Sequence, residues 1–365
     1  MKYSNEPGKP RDTGVEALKG KERIFYLDVL RVLACFLVLV NHTNSSIFKG
    51  RGPSATWYLS LAYFFVSKSA VPLFLMIMGA VQLSRTESKT KYHARIRKTL
   101  VVILSFTIFY LADAVLRKGA TVTPAIAVQK LMNSPSRALW YLYLYLGLSL
   151  FIPFFQKLAG ALSREEEKWL CLLSAGLNGL LPMLPVFTGI GLNGIFYSGT
   201  LSVYIGLVFL GHYLHTYVSP RKSQALAATA LYLLLVTGQV ILTAYLYTLD
   251  HKDYLKLDNR IFLPITAGAA CFFLLVKFLC ANTVRPESPV LKGIQAGVSS
   301  IAGLTFGIYL FGDWLIDLFR PLFRSLEGIL HPLPAVLIYE TAVFTAGALL
   351  TAILQKLPAT GKYLR

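Results

Sequence analysis

Charged residues are scarce in this chain. Only 15% of its 365 residues are Asp, Glu, Lys or Arg, whereas 55% are apolar or aromatic, and the mean hydropathy is +0.56. A soluble globular domain carries roughly 25% charged residues, so the composition excludes that class and also disordered and fibrous proteins. The apolar excess must face lipid. At about 20 residues per crossing, the chain has room for roughly ten membrane-spanning helices.

Cysteines and acidic residues are also few. The four cysteines lie singly inside apolar runs, which favours small core residues over a disulfide framework or a zinc site, and we predict no metal centre. Asp and Glu number 18 against 36 Lys and Arg, a net charge of +18. Cytoplasmic loops of a membrane protein account for such an excess, so we predict no nucleic-acid partner.

Ten apolar runs between charged clusters predict an all-α, polytopic protein embedded in a lipid bilayer. Most of the 36 Lys and Arg residues fall in alternate loops, which predicts that both termini are cytoplasmic. We predict a polar N-terminal tail (1–23) without a signal peptide, one ten-helix membrane domain (24–356) and a C-terminal tail (357–365). The sequence gives no indication of oligomeric state. The predicted spans are 24–43, 57–84, 99–116, 138–156, 169–187, 198–217, 225–247, 261–280, 296–317 and 334–355.

The first span carries the ionisable residues with the clearest spacing. Arg31 and His42 are separated by eleven helical positions, which brings them to within about 20° of each other and about 16 Å apart along the axis. Asp28 lies within about 60° of Arg31. One helix face therefore presents a cation near the cytoplasmic end and an imidazole towards the outer end. A long, thin ligand such as the pantetheine arm of coenzyme A has about that reach, with Arg31 suited to its phosphates and His42 to acyl transfer.

Each of these features also has a purely structural interpretation. Asp28 and Arg31 would form an ion pair, and His42 would mark the membrane interface. Lys68, just before Val71-Pro72 in the second span, would line a pocket beside a bent helix or extend to the interface. The basic segment after that span would hold coenzyme A phosphates or only determine orientation; it comprises Arg85, Lys91, Arg95 and Lys98.

Acidic residues occupy the outward halves of three later spans. In those positions a carboxylate would orient His42 or bind sugar hydroxyls, although Asp317 has Arg320 nearby as an alternative partner. The other three acids are predicted to bind the acceptor: Asp113, Asp313 and Glu340.

Six segments in order resemble the acyltransferase family 3 membrane proteins. The opening motif is an Arg, ten residues and a His, here Arg31 to His42. The remaining segments follow in the expected order: Val71–Ala80, Tyr92–Leu100, Leu139–Tyr143 with Pro153, Gly206–Leu214 and Thr305–Leu310. Three positions depart from the family pattern and bear on the acceptor more than on the reaction: Met78, Ala138 and Gly312.

The resemblance implies a ten-helix domain that transfers an acyl group, most often acetyl, from coenzyme A to a carbohydrate hydroxyl. It implies the roles of the paired motif for Arg31 and His42, and the conserved basic position for Arg95. We predict that His42 acts as general base or as the acceptor of a covalent acyl group, and we include Asp28 with Arg31 among the catalytic residues. Donor binding falls to Arg31, Lys68 and the basic segment, and Trp140 joins the acids at the acceptor. The acceptor is expected to be a cell-envelope glycan or glycolipid at a bacterial cytoplasmic membrane.

Two other functions remain open from the residues alone. A transporter or flippase for a glycan or anionic solute would line its path with Arg31, Lys68 and the outer acids. Transporters often carry inverted repeats with broken helices in matching positions, and no such pair is evident here. The third possibility is a membrane sensor or assembly partner without catalytic activity. That function would not explain why Arg31 and His42 lie on one face of the helix.

Overall fold

The computed structural model describes residues 24–48, 52–85, 87–193, 202–250, 257–283 and 288–364. Within these ranges all regular secondary structure is helical, so the predicted all-α fold class is confirmed. The predicted N-terminal tail, 1–23, lies outside the described residues.

Sixteen α-helices make up the described chain. The first eight are α1 (Phe25–Phe48), α2 (Ala55–Ser67), α3 (Ala70–Gln82), α4 (Lys89–Leu116), α5 (Pro124–Asn133), α6 (Trp140–Ala161), α7 (Arg164–Ser174) and α8 (Leu184–Thr188). Between α7 and α8 lie a π-helical turn, Ala175–Leu180, and a 3₁₀ turn, Leu181–Met183. The others are α9 (Val203–Tyr217), α10 (Lys222–Asp250), α11 (Leu263–Thr283), α12 (Pro289–Ala302), α13 (Thr305–Leu318), α14 (Arg320–Glu327), α15 (Pro332–Lys356) and α16 (Pro358–Leu364).

Eight helical stretches of the described chain are long and apolar enough to cross a membrane, and nine if the bent pair α12–α13 counts as one crossing. The protein is therefore a multi-pass membrane protein. The predicted span 198–217 corresponds to α9, whose 15 residues extend about 22 Å and do not by themselves cover a hydrocarbon core of about 30 Å. The eight are Phe25–Thr43, Ala55–Gln82, Lys89–Leu116, Trp140–Ala161, Arg164–Thr188, Lys222–Leu249, Leu263–Ala281 and Pro332–Lys356.

The crossing predicted at 296–317 is a broken helix. It begins at Pro289, and α12 and α13 meet at an angle of 56°. The break at Gly303 frees backbone carbonyls, and the side-chain amide of Gln355 donates to the Gly303 carbonyl at 2.9 Å. A neighbouring helix thus satisfies the polar backbone that a break exposes within a membrane.

A second break separates α2 from α3 at Lys68 and Ser69. Pro72 falls in the first turn of α3, where the missing N–H costs little because those donors have no intrahelical partner. The break places Lys68 halfway along a single 28-residue crossing.

Helix α1 is central to the bundle. It packs against α2, α3, α11, α12, α13 and α15. Leu27 and Leu30 join an apolar core that includes α3 and α9, whereas Cys35 and Leu39 join a second core with α13 and α15. Apolar residues thus anchor the sides of α1 that face these helices.

Helices α3 and α9 cross at two glycines. A Cβ on Gly79 would overlap the carbonyl of Val208, and a Cβ on Gly211 would overlap the carbonyl of Met76. The two backbones therefore approach more closely than any other residue type permits, as small residues allow in membrane helices.

The predicted C-terminal tail contains a helix, α16, that folds back on the bundle. Its Leu364 is buried, and the amide of Gln355 donates to the Leu364 carbonyl at 2.8 Å as well as to Gly303. Ser299, one turn before Gly303, donates to Asp28 in the first turn of α1. The start of α1 and the C-terminal helix therefore lie at the same end of the bundle.

Candidate active site

One cavity of about 980 Å³ runs beside α1 and is lined by both Arg31 and His42. The eleven-residue spacing predicts that Arg31 and His42 lie on one face of the helix, and in the structure both side chains line the same cavity. The remaining walls come from both helix breaks, the first turns of α4, the start of α6 and the loop before α11: Lys68 to Gln82, Ala94 to Thr99, Arg137 to Tyr145, Asp258 to Arg260 and Thr305 to Tyr309.

Three cations line the end of the cavity nearest the start of α1: Arg31, Arg95 and Lys98. Arg31 Nη1 donates to Asp28 Oδ1 at 2.7 Å, and Asp28 is itself buried and also accepts from Ser299 at 2.9 Å. Asp28 therefore fixes the Arg31 side chain from behind the cavity wall.

The other two cations of this end extend from α4. Arg95 Nη1 lies 2.8 Å from Glu87 Oε2, and Lys98 Nζ lies 5.4 Å from the centre of the Phe306 ring. Both belong to the same helix face, as their spacing requires. Together with Arg31 they form a cationic end, which is suited to phosphate groups.

His42 lies towards the opposite end of the cavity and has a carboxylate behind it. Its Nδ1 is 3.7 Å from Asp313 Oδ1, while Asp313 Oδ2 accepts from the backbone N–H of Ala138 at 2.7 Å. Asp313 is 7% exposed, so its charge is held in the interior beside the ring. With Nδ1 facing the carboxylate, Nε2 is the nitrogen available to a ligand in the cavity.

The outer end of the cavity contains a second set of cations. Lys68 Nζ pairs with Asp258 Oδ2 at 3.2 Å. The Arg260 guanidinium lies over the Trp140 ring, with Cζ 3.9 Å from its centre, and its Nε donates to the Tyr204 hydroxyl at 3.3 Å. Arg137 also lines this end. The predicted site residues Lys68 and Trp140 thus lie in the cavity wall.

Six of the predicted site residues do not line the cavity: Asp28, Arg85, Lys91, Asp113, Asp313 and Glu340. Asp313 lies behind His42, as described above. Asp28 supports Arg31 as described. Arg85 and Lys91 are exposed on the surface. Asp28, Arg85 and Lys91 lie at the cationic end, near the predicted donor site but outside the cavity wall.

The remaining two acids bind other parts of the protein. Asp113 accepts two hydrogen bonds from Arg117, at 2.6 and 2.9 Å, and one from Trp314 Nε1 at 3.1 Å. Glu340 is fully buried and accepts from the hydroxyls of Thr43 and Tyr63. Both carboxylates therefore connect helices at the outer end of the bundle.

Several cavity residues were not identified by sequence reasoning. Arg137, Asp258 and Arg260 lie in segments between predicted spans, where charges are expected for orientation alone, so their position carries no signal of a site. Asn41, beside His42, resembles an interfacial residue in the sequence. The side chain of Tyr309 lines the cavity while its hydroxyl donates to the Ala138 carbonyl at 2.9 Å.

The arrangement suits proton transfer at one end of a cavity whose other end is lined by cations. An imidazole backed by a carboxylate is a general base, and the cations suit the phosphates of a carrier. Among the described residues, no three His, Cys, Asp or Glu side chains converge as metal ligands.

A family model described as an acyltransferase domain, that of acyltransferase family 3, matches residues 24–354. No curated protein gives a significant match to the chain. The same is true of solved structures.

Proposed function

The chain belongs to acyltransferase family 3 and is a membrane acyltransferase, and from this premise we propose that it transfers an acyl group from coenzyme A to a carbohydrate. The group is acetyl, and the acceptor is a hydroxyl of a cell-envelope glycan or of its lipid-linked precursor. The protein acts in a bacterial cytoplasmic membrane.

One observation carries this proposal: a single cavity is lined by three cations and by an imidazole that lies about 16 Å from one of them, Arg31, along α1. That length is about the reach of the pantetheine arm. The coenzyme A phosphates bind Arg31, Arg95 and Lys98, and the thioester extends to His42. Glu87 and Asp28 hold Arg95 and Arg31 in position before the donor arrives.

The reaction at His42 transfers one acyl group from the sulfur of coenzyme A to a hydroxyl oxygen of the acceptor. Nε2 takes the proton of the acceptor hydroxyl as its oxygen attacks the thioester carbon. The tetrahedral intermediate then collapses with cleavage of the C–S bond, and the imidazolium returns the proton to the departing thiolate. The products are the sugar ester and free coenzyme A, and no other reactant is required.

Asp313 supports both states of the ring in this scheme. Before the reaction its carboxylate favours the tautomer with a proton on Nδ1, which leaves Nε2 as the base. After proton transfer it stabilises the positive imidazolium.

The proposal is tested with purified protein in lipid vesicles, acetyl-coenzyme A and a glycan acceptor, with release of free coenzyme A as the readout. We expect His42→Ala to bind the donor normally and to lose transfer by a factor on the order of 10² or more. His93→Ala is the matched control, because His93 is exposed on α4 and does not line the cavity. Transfer at the normal rate by His42→Ala would refute the assignment, as would failure of the intact protein to use any short acyl-coenzyme A.

A further inference from the structure

We propose that the acceptor is an anion: a glycan or glycolipid that carries a carboxylate or a phosphate close to the hydroxyl that is acylated, held by Arg137 and Arg260. This inference rests on the proposed function, since it assigns the second substrate of the same cavity. It starts from the charges in the cavity wall.

The described residues that line the cavity include six cations and a single carboxylate, Asp258. Three of the cations are Arg31, Arg95 and Lys98, which the donor phosphates occupy. The other three, Lys68, Arg137 and Arg260, lie at the outer end, where the thioester and the acceptor meet. A neutral sugar would leave this positive charge facing an uncharged ligand.

The positive charge of Lys68 is already neutralised by an ion pair. Its ammonium is paired with Asp258 at 3.2 Å, and the Lys68 side chain is only 14% exposed. This pair joins the α2–α3 break to the loop before α11. The single lining carboxylate is therefore committed to Lys68 and neutralises neither arginine.

Arg260 is held in an orientation that suits an anion. Its guanidinium lies over Trp140, with Cζ 3.9 Å from the ring centre, and Nε donates to the Tyr204 hydroxyl. Only Nε is used by Tyr204, and the terminal N–H groups of a guanidinium match the two oxygens of a carboxylate or phosphate. Among the described residues Arg260 has no carboxylate partner.

Arg137 supplies the second unpaired charge. It is exposed and lines the cavity immediately before Ala138, whose N–H donates to Asp313, and it forms no ion pair with any described residue. Its neighbour Ala138 donates to the same Asp313 carboxylate that faces the His42 ring, so Arg137 lies next to the His42 site. The anion is therefore bound beside the reacting hydroxyl rather than at a distant part of the acceptor.

Matched acceptors test the proposal and separate the two sources of negative charge. Methyl glucuronide is compared with methyl glucoside for the carboxylate, and glucose 1-phosphate with glucose for the phosphate. We expect KM at least tenfold lower for one anionic member of these pairs, with similar kcat. Arg137→Gln and Arg260→Gln should each abolish most of that difference and leave the KM for acetyl-coenzyme A unchanged.

Arg324→Gln is the control, since Arg324 is an exposed arginine on α14 outside the cavity. Equal use of charged and neutral acceptors by a protein that releases coenzyme A would overturn the anionic acceptor alone. An increased KM for acetyl-coenzyme A in the Arg137 and Arg260 variants would also overturn it, because the outer cations would then bind the donor.

Direct binding of the same acceptors, measured by thermophoresis without a donor, distinguishes the two proposals. Anion binding that depends on Arg137 and Arg260, in a protein that never releases coenzyme A, would support the anion site and refute the proposed donor. No preference for the anion in binding or in turnover would refute the anion site.

Discussion

At the scale of single residues, the contact between Asp313 and His42 makes a specific prediction. The carboxylate is buried, and its described partners are the His42 ring and the Ala138 N–H. Asp313→Asn keeps the size of the side chain and removes the charge that stabilises the imidazolium. We expect kcat to fall by a factor on the order of 10², with the KM for the donor unchanged.

The matched control for this change is Asp317→Asn. Asp317 lies one turn further along α13 and pairs with Lys118 at 2.8 Å and Arg320 at 3.0 Å, away from the cavity. Its loss should leave kcat within about twofold, because surface ion pairs contribute little. Equal effects of the two substitutions on kcat would show that Asp313 acts only through the fold.

Arg31 makes a second prediction of this kind. If its guanidinium binds a donor phosphate, Arg31→Gln should raise the KM for acetyl-coenzyme A roughly tenfold or more, the value of one charge-assisted hydrogen bond. Arg97→Gln is the control, because Arg97 is exposed on α4 and does not line the cavity. Steady-state kinetics with varied donor measure both. An unchanged KM in Arg31→Gln would contradict the assignment of the cationic end to the donor.

These residues also show which parts of the site can be predicted from the sequence. Arg31 and His42 share a helix, so the period of 3.6 residues places them on one face without knowledge of the fold. The partner of His42 is on another helix, and sequence alone leaves Asp113, Asp313 and Glu340 equivalent. Only tertiary packing separates Asp313, beside His42, from Asp113 and Glu340, which bind other side chains.

At the scale of helices, the crossing of α3 and α9 predicts a strong effect of one methyl group. Gly211→Ala would place a Cβ on the backbone of Met76, and Gly79→Ala would place one on that of Val208. Backbone cannot move aside as a flexible side chain does, so we expect each substitution to lower the melting temperature in detergent by several degrees.

Gly238→Ala is the matched control for this crossing. Gly238 lies within α10, and a Cβ there meets nothing within 4 Å. Alanine is the better helix former by about 1 kcal/mol, so this variant should be unchanged or slightly more stable. Equal stability of all three variants, measured by thermal unfolding, would show that α3 and α9 do not cross as closely as described.

The helix breaks differ in how well the sequence predicts them. Pro72 indicates a bend near Lys68, and the structure places the break there. The break at Gly303 has no proline, and a lone glycine is common in membrane helices, so the sequence predicts a straight span at 296–317. The Gln355 amide that satisfies the Gly303 carbonyl comes from α15, a contact that no local pattern reveals.

At the scale of the whole molecule, the uneven distribution of Lys and Arg between the two sides of the membrane agrees with the position of the cationic end of the cavity. The start of α1 and helix α16 lie at the end of the bundle that also holds the cationic end of the cavity, as the Ser299–Asp28 and Gln355–Leu364 hydrogen bonds show. Basic residues are retained on the cytoplasmic side of membrane proteins. We therefore predict that both termini and the donor end face the cytoplasm, where acyl-coenzyme A is made, and that His42 lies towards the outer surface.

Reporter fusions in a bacterial host test this orientation. A fluorescent protein that folds only in the cytoplasm, fused after Arg365, should fluoresce, and alkaline phosphatase fused at the same point should be inactive. Phosphatase inserted between Lys118 and Thr123, in the exposed segment beyond α4, should be active because that segment lies at the His42 end of the bundle. The opposite pattern would place the cationic end outside the cell and remove acyl-coenzyme A as its ligand, since the donor would then have no access to Arg31, Arg95 and Lys98.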